Sequence, residues 1–383
     1  MSVTAARGFL ASGVAAGIKE SGELDLALVV NSGPSYAAAG VFTRNRVQAA
    51  PVRWSRRVLR RGRTAAVVLN SGGANACTGR PGDEDTRRGA ELTAQALGLR
   101  TDDVAVCSTG LIGVRLPMDR LATGIGEATE RLRPSGGMDA AAAIRTTDSV
   151  RKTAEVSGPD WTVGGMAKGA GMLAPGLATM LVVLTTDADV DADVLDAVLR
   201  DAVRTTFDRV DSDGCMSTND TVLLLASGAS GVIPEAAAFA QAVHTVCLDL
   251  ARQLIADAEG ASKEIEVEVV GAASEEDAVT VGRSVARNNL LKCALHGQDA
   301  NWGRVLSAIG TTDAVFDPDQ LDVAINGVWV CRDGAAGESR EKVDLSGRQI
   351  TLTIDLRSGQ ESAVIWTNDL TAEYVHENSA YSS

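Results

Sequence analysis

Short apolar runs closed off by Gly, Asn or Ser recur along the whole 383-residue chain, which limits it to a fold assembled from many brief strands. They fall at Leu24 to Val30, Thr64 to Leu69, Val104 to Cys107, Thr179 to Thr185, Thr221 to Leu225 and Ile265 to Val270. An alternating run from Gln349 to Leu356 adds another strand. Between them, helical patterns span Thr86 to Leu97, Pro117 to Leu132, Asp193 to Phe207, Pro234 to Ala258 and Asn301 to Ile309. In the fourth of these, Phe239, Val243, Val246, Cys247, Leu250 and Leu254 recur at spacings that share one helix face, and Gly260 marks the end. The mixture predicts an α/β chain built in layers of sheet and helix. A chain this long forms either two domains or one large layered unit. No repeat or low-complexity linker fixes a boundary, and the only compositional break, Arg332 to Lys342, reads as an exposed loop.

The balance of 39 Gly, 9 Pro and 3% aromatic residues points to many tight turns and cores of Ala, Val, Leu and Ile. A formal net charge of -14 weighs against a nucleic-acid backbone or an anionic membrane surface as partner, and leaves a small cationic or zwitterionic substrate compatible. The six cysteines contain no CxxC pair, which fits reduced thiols and predicts neither a disulfide framework nor a metal site. Met1 to Lys19 lacks a basic segment followed by an apolar run, and no stretch approaches the roughly 18 residues that cross a bilayer. A cytoplasmic protein is expected.

One junction draws chemical attention. The segment Gly164 to Ala178 reads as a Gly-rich loop containing Lys168 and Pro175, and it runs directly into the strand that starts at Thr179. A threonine hydroxyl is a weak nucleophile unless a base lies beside it, and the threonine's own α-amine can be that base once the chain is cut before it. Thr179, first in a strand after a bendable loop, is placed for its hydroxyl to attack the carbonyl of Ala178. By pattern alone, the plainer reading is favoured, with Thr179 a β-branched residue that starts a strand and the glycines plain turns. A phosphate cradle around Lys168 fits poorly, because GxxxxGK[ST] is unmatched and the loop leads to a strand, without the helix N-terminus such sites use. A Ser-His-Asp hydrolase fits no better: there is no GxSxG elbow, and of the three histidines His244 lies beside a helix's apolar stripe.

The run Lys168-Gly-Ala-Gly-Met-Leu-Ala-Pro-Gly-Leu-Ala-Thr179-Met-Leu closely resembles the self-cleavage motif of the ornithine acetyltransferase family, the bifunctional glutamate N-acetyltransferases of arginine biosynthesis (ArgJ). Further resembling segments follow in order: Val41 to Asn45, Asn70 to Gly79, Ser108 to Gly113, Thr146-Thr-Asp148, Asp213 to Asp220, Glu259 to Lys263, Gln298 to Arg304 and Asn378 to Ser383. Together they cover nearly the whole chain, and several ordered motifs are far more specific than one glycine loop. Departures are modest. Asp-Ala-Glu259-Gly stands for the commoner Asp-Gly-Glu-Gly, Cys215-Met216 for a polar Asp-Thr pair, and Ser383 for Thr.

The resemblance implies an αββα layered sandwich of the self-processing, N-terminal-nucleophile-like type, cut into an α chain of residues 1–178 and a β chain of residues 179–383 that interleave and assemble as α2β2. It places the cleavage site at Ala178 and Thr179, the nucleophile on Thr179, and an oxyanion hole on Thr109 and Gly110, where the strand Val104 to Cys107 ends. Substrate contacts fall on Thr146, Lys168, Thr179, Glu259, Asn378 and Ser383, so the last six residues are expected to be ordered. The implied reaction moves acetyl from N-acetylornithine to glutamate through an acetyl-Thr179 ester, without cofactor or metal. Use of acetyl-CoA as a second donor stays open. The competing readings are a self-cleaving amidase or aminopeptidase of similar architecture, and a single-chain binding protein with a structural glycine loop.

Overall fold

The computed structural model describes residues 2–174 and 180–380. The chain divides into two compact units, one of residues 1–208 and 215–254, the other of residues 209–214 and 255–382.

The first unit holds two sheets. Strands β1 (Phe9–Val14), β2 (Leu26–Asn31), β4 (Ala66–Asn70) and β5 (Val104–Ser108) form one sheet in the order β1-β2-β4-β5. The other runs β3-β9-β8-β7-β6, from β3 (Ala38–Phe42), β6 (Lys152–Ser157), β7 (Thr162–Lys168), β8 (Leu181–Thr186) and β9 (Thr221–Ala226). Leu28, Val67 and Val106 of the first sheet and Met166, Val183 and Leu223 of the second belong to one buried apolar cluster. Helices α2 (Gly79–Leu97) and α3 (Met118–Glu130) pack on the first sheet, while α1 (Ala50–Leu59) and α4 (Gly137–Ala143) reach both. On the second sheet lie α5 (Ala192–Thr205) and α6 (Ala236–Ala256), the latter through Val246 and Leu250 over Gly165. The α/β layering expected from the sequence is the one observed.

The second unit carries the sheet β13-β12-β11-β14-β10-β15. Its strands are β10 (Glu264–Ala272), β11 (Asp322–Ile325), β12 (Val328–Arg332), β13 (Ala335–Ala336), β14 (Gln349–Asp355) and β15 (Glu361–Asn368). Helix α7 (Glu275–Ala286) lies on β10 and β15, α8 (Asn289–His296) and α9 (Trp302–Ile309) follow, and α10 (Ala372–Ala380) ends the described chain. Among the described residues no helix is long and apolar enough to cross a membrane.

One correction bears on the site. Gly164 to Lys168, read from sequence as part of a loop, lies in strand β7, paired with β6 through Ala167 and with β8 through Lys168. The adjacent glycines are there for close approach: a Cβ on Gly165 would meet Leu184 Cδ2 at 2.7 Å, and one on Gly164 would meet the Ser2 carbonyl oxygen at 2.4 Å. The strand expected from Thr179 to Thr185 is β8, which runs from Leu181 to Thr186, with Met180 just outside it. Helix α2 also begins earlier than Thr86, at Gly79, since Pro81 in a first turn costs no hydrogen bond.

Candidate active site

Strand β5 delivers Ser108, Thr109 and Gly110 into a tightly held turn. The Ser108 hydroxyl donates to Asn70 Oδ1 at 2.6 Å, and the Asn219 side-chain amide donates to the carbonyls of Ser108 and Ala74, both at 2.7 Å. The Thr109 N–H is committed to the Asn70 carbonyl at 3.0 Å, so Thr109 offers its hydroxyl to a ligand. Gly110 has φ of 125°, and a Cβ there would lie 2.5 Å from the Gly72 carbonyl carbon, so only glycine lets the backbone turn at this place.

Lys168, of a residue type almost never fully buried unless paired, is 2% exposed at the end of β7. Its Nζ donates to Thr109 Oγ1 at 3.3 Å. Because that oxygen accepts from Lys168, its own proton is available to another acceptor, as an oxyanion donor requires. Thr146 is drawn to the same place through Asp148, whose Oδ2 accepts the Thr146 N–H at 3.0 Å and lies 4.0 Å from Lys168 Nζ. Asp148 Oδ1 takes Lys152 Nζ and the Gly169 N–H, each at 2.6 Å. Burial opposes ionisation of this carboxyl, but Lys168, Lys152 and the Gly169 N–H outweigh it and hold it at about 2. Its contribution to stability is therefore complete above about 3.8 and lost as pH falls toward 2.

Ala178 and Thr179 lie outside the described residues. Their neighbour Met180 is placed, however: its N–H donates to Asp220 Oδ1 at 3.1 Å, and the next residue, Leu181, pairs with Lys168 on one side and Thr221 on the other. Asp220 is fully buried, and burial pushes its carboxyl well above the ordinary 3.8, against the opposing pull of the Met180 N–H, Ser217 and Lys168. A folded value above the unfolded one means the fold retains a proton that the unfolded chain releases, so this group costs stability as pH rises past about 3.8. Asp220→Asn keeps an acceptor for Met180 and removes the ionisation. In thermal melts its stability relative to wild type is expected to improve from pH 4 to pH 7; a relative decline would mean that Asp220 is ionised in the fold.

In the second unit, Asn378 Nδ2 of α10 donates to Glu259 Oε2 at 3.0 Å, bringing together two more residues singled out from sequence. The loop after Glu259 is fastened to the segment leading into α10. Asp369 Oδ1 accepts the N–H groups of Ser262 and Lys263, both at 2.9 Å, and the Thr371 hydroxyl donates to the Gly260 carbonyl at 2.7 Å. Asn378 continues α10, while Ser383 lies outside the described residues. Where Cys215 and Met216 replace a polar pair, the Met216 carbonyl accepts from Asn45 Nδ2 at 2.8 Å, a backbone contact that any side chain at this position permits. Among the described residues no cluster of His, Cys, Asp or Glu could hold a metal ion.

Sequence reasoning quoted Asp148 and Asp220 within motifs but gave neither a role, and it passed over Lys152. Lys152 pairs with Asp148 four residues before it, and the approach of Lys168 to the same carboxylate depends on the hairpin of β6 and β7, which the glycines concealed.

The chain matches the family model described as ArgJ family over residues 10–383. A Streptomyces avermitilis protein described as arginine biosynthesis bifunctional protein ArgJ is 70% identical over 383 residues, covering 100% of both chains. A solved arginine biosynthesis bifunctional protein ArgJ from Bacillus halodurans is 35% identical with a TM-score of 0.50, over 51% of this chain and 97% of that one. An ornithine acetyltransferase from Mycobacterium tuberculosis, solved with ornithine, is 57% identical with a TM-score of 0.45, over 47% of this chain and 96% of that one. With a family model matched from residue 10 to the last residue and a relative aligned end to end, the chain belongs to the ArgJ family.

Proposed function

We propose that the chain cuts itself between Ala178 and Thr179 and then carries acetyl on Thr179 from N-acetylornithine to glutamate. In the first event the Thr179 hydroxyl attacks the Ala178 carbonyl, the peptide bond gives way to an ester with the Thr179 amine set free, and water then splits the ester into the Ala178 carboxylate and the Thr179 hydroxyl. In turnover the hydroxyl, its proton passing to that amine, adds to the acetyl carbonyl. The Thr109 hydroxyl and Gly110 N–H face the resulting oxyanion. Collapse expels ornithine with the proton and leaves the acetyl ester; the glutamate amine then attacks that ester, and breaking its C–O bond gives N-acetylglutamate while a proton from the amine restores the Thr179 hydroxyl.

The observation that carries this reading is the buried contact between Lys168 Nζ and Thr109 Oγ1 at 3.3 Å, at the end of a strand paired with the residue two places beyond Thr179. That contact supports reading Lys168 as the cation for the substrate carboxylate and the neighbouring Thr109 hydroxyl as an oxyanion donor. Thr146, Glu259, Asn378 and Ser383 complete the substrate contacts in this account. The division into residues 1–178 and 179–383 leaves β7 and β8 on different chains but hydrogen-bonded in one sheet, so cleavage does not release either chain. The Bacillus halodurans relative supports two chains, since 97% of that solved chain is covered by only 51% of this one.

Acetyl moves from amide to ester to amide at similar oxidation level, so no cofactor enters the exchange. Relatives are named bifunctional, and acetyl-CoA as a second donor to glutamate belongs to the same proposal, as do α2β2 assembly and a cytoplasmic location. Ornithine release from N-acetylornithine, measured with and without glutamate, tests the transfer. Strong glutamate dependence is expected; equal release into water would make the enzyme an amidase.

A further inference from the structure

Two neighbouring residues of one segment reach both halves of the proposed chemistry. Asn219 and Asp220 lead into β9, and their Cα atoms are about 3.8 Å apart, as across any trans peptide. Asn219 is 4% exposed and Asp220 0%. The Asn219 amide donates to the Ser108 carbonyl at 2.7 Å, while the Thr109 N–H of that same peptide donates to the Asn70 carbonyl at 3.0 Å. The peptide leading into Thr109 is thereby pinned on both sides, and its rigid plane sets where the Thr109 hydroxyl and the Gly110 N–H can point. Asp220 acts in the same way on the other side of the reaction. Its Oδ1 accepts the N–H of the amide that joins Met180 to Thr179, at 3.1 Å, and the Thr221 N–H donates to the Met180 carbonyl at 3.1 Å.

The Asn219 side chain is itself fixed. Its amide also donates to the Ala74 carbonyl at 2.7 Å, and its Oδ1 accepts the Thr218 hydroxyl at 2.6 Å. A buried amide whose nitrogen and oxygen are both engaged holds one orientation. The segment around it is tied down as well: the Thr218 and Asp220 carbonyls accept the N–H groups of Ala49 and Thr43, both at 3.0 Å.

We propose that Asn219 is a positioning residue for acyl transfer: together with Asp220 it fixes the spacing between the turn at Thr109 and the strand that follows Thr179. The proposal rests on the reading of Thr109 and Gly110 as the oxyanion hole. Oxyanion donors work within about 3 Å of the developing charge, and a misplacement of about 1 Å can cost about 10² in rate. Lys168 is placed by β7 and not by this segment, so substrate binding survives the loss of Asn219 while the chemical step does not.

The burst of ornithine release from self-processed enzyme without glutamate, followed over a range of N-acetylornithine concentrations, tests this. Asn219→Ala is expected to slow the burst about tenfold or more, with half-saturation within about threefold of wild type. Combined with Thr109→Ala, it is expected to lose at least about fivefold less than the product of the two single losses, because both changes damage the same oxyanion contacts. A near-normal burst in Asn219→Ala overturns the proposal. So does a double variant whose loss equals the product, the result for a residue that serves the fold alone. If Asn219→Ala yields no processed enzyme, Asn219→Gln, which keeps the amide one methylene farther out, is held to the same criteria. Failure of both to process assigns Asn219 to the fold and also overturns the proposal. Thr109→Ala alone separates the two layers: a normal burst there sinks the oxyanion reading, whereas a slow one beside a normal Asn219→Ala sinks only the role of Asn219.

Discussion

Thr179→Ala is expected to remain one chain of 39.6 kDa and to show no measurable acetyl transfer. Alanine has no Oγ, so neither the ester that breaks the chain nor the acetyl ester of turnover can form. The fold has no comparable stake in the hydroxyl. Strands β7, β8 and β9 are held by backbone pairing from Lys168 through Thr221, and Met180 keeps its hydrogen bond to Asp220 whatever precedes it. Thermal denaturation should therefore place the variant near wild type, and a large drop in Tm would assign Thr179 a structural role instead.

Thr109→Ala is expected to process and fold normally but to form the acetyl-enzyme about 10² times more slowly, the usual cost of losing one oxyanion donor. The turn survives the change because the Ser108 hydroxyl, the Thr109 N–H and the Asn219 amide hold it, and none of these is the threonine side chain. Lys168 loses an acceptor in this variant, so KM should rise modestly alongside the fall in rate. Single-turnover measurement of ornithine release isolates the affected step. A rate close to wild type would remove Thr109 from the oxyanion hole.

The sequence disclosed those parts of the molecule whose physics is local. Val104 to Cys107 and Thr221 to Leu225 are uninterrupted apolar runs because both faces of β5 and β9 are buried, and such strands announce themselves. Strand β7 did not, because Gly164 and Gly165 signal a turn in isolation and find their reason only in Ser2, Leu184 and Leu250, which the fold brings close. Helix α7 left a signal that periodicity overlooked: Ser274 caps the Asp277 N–H at 3.1 Å, and Glu275, Glu276 and Asp277 fill the first turn. The same divide runs through the candidate site. Thr109, Gly110 and Lys168 belong to recognisable motifs, while the trio with Asp148 and Lys152 exists only once a hairpin has formed. An aspartate four residues before a lysine on no predicted helix carries no meaning of its own.

Everything functional in this account depends on the break before Thr179. Intact mass of the wild-type protein under denaturing conditions tests it directly: two species are expected, one ending at Ala178 and one beginning at Thr179. A single species at 39.6 kDa would contradict it.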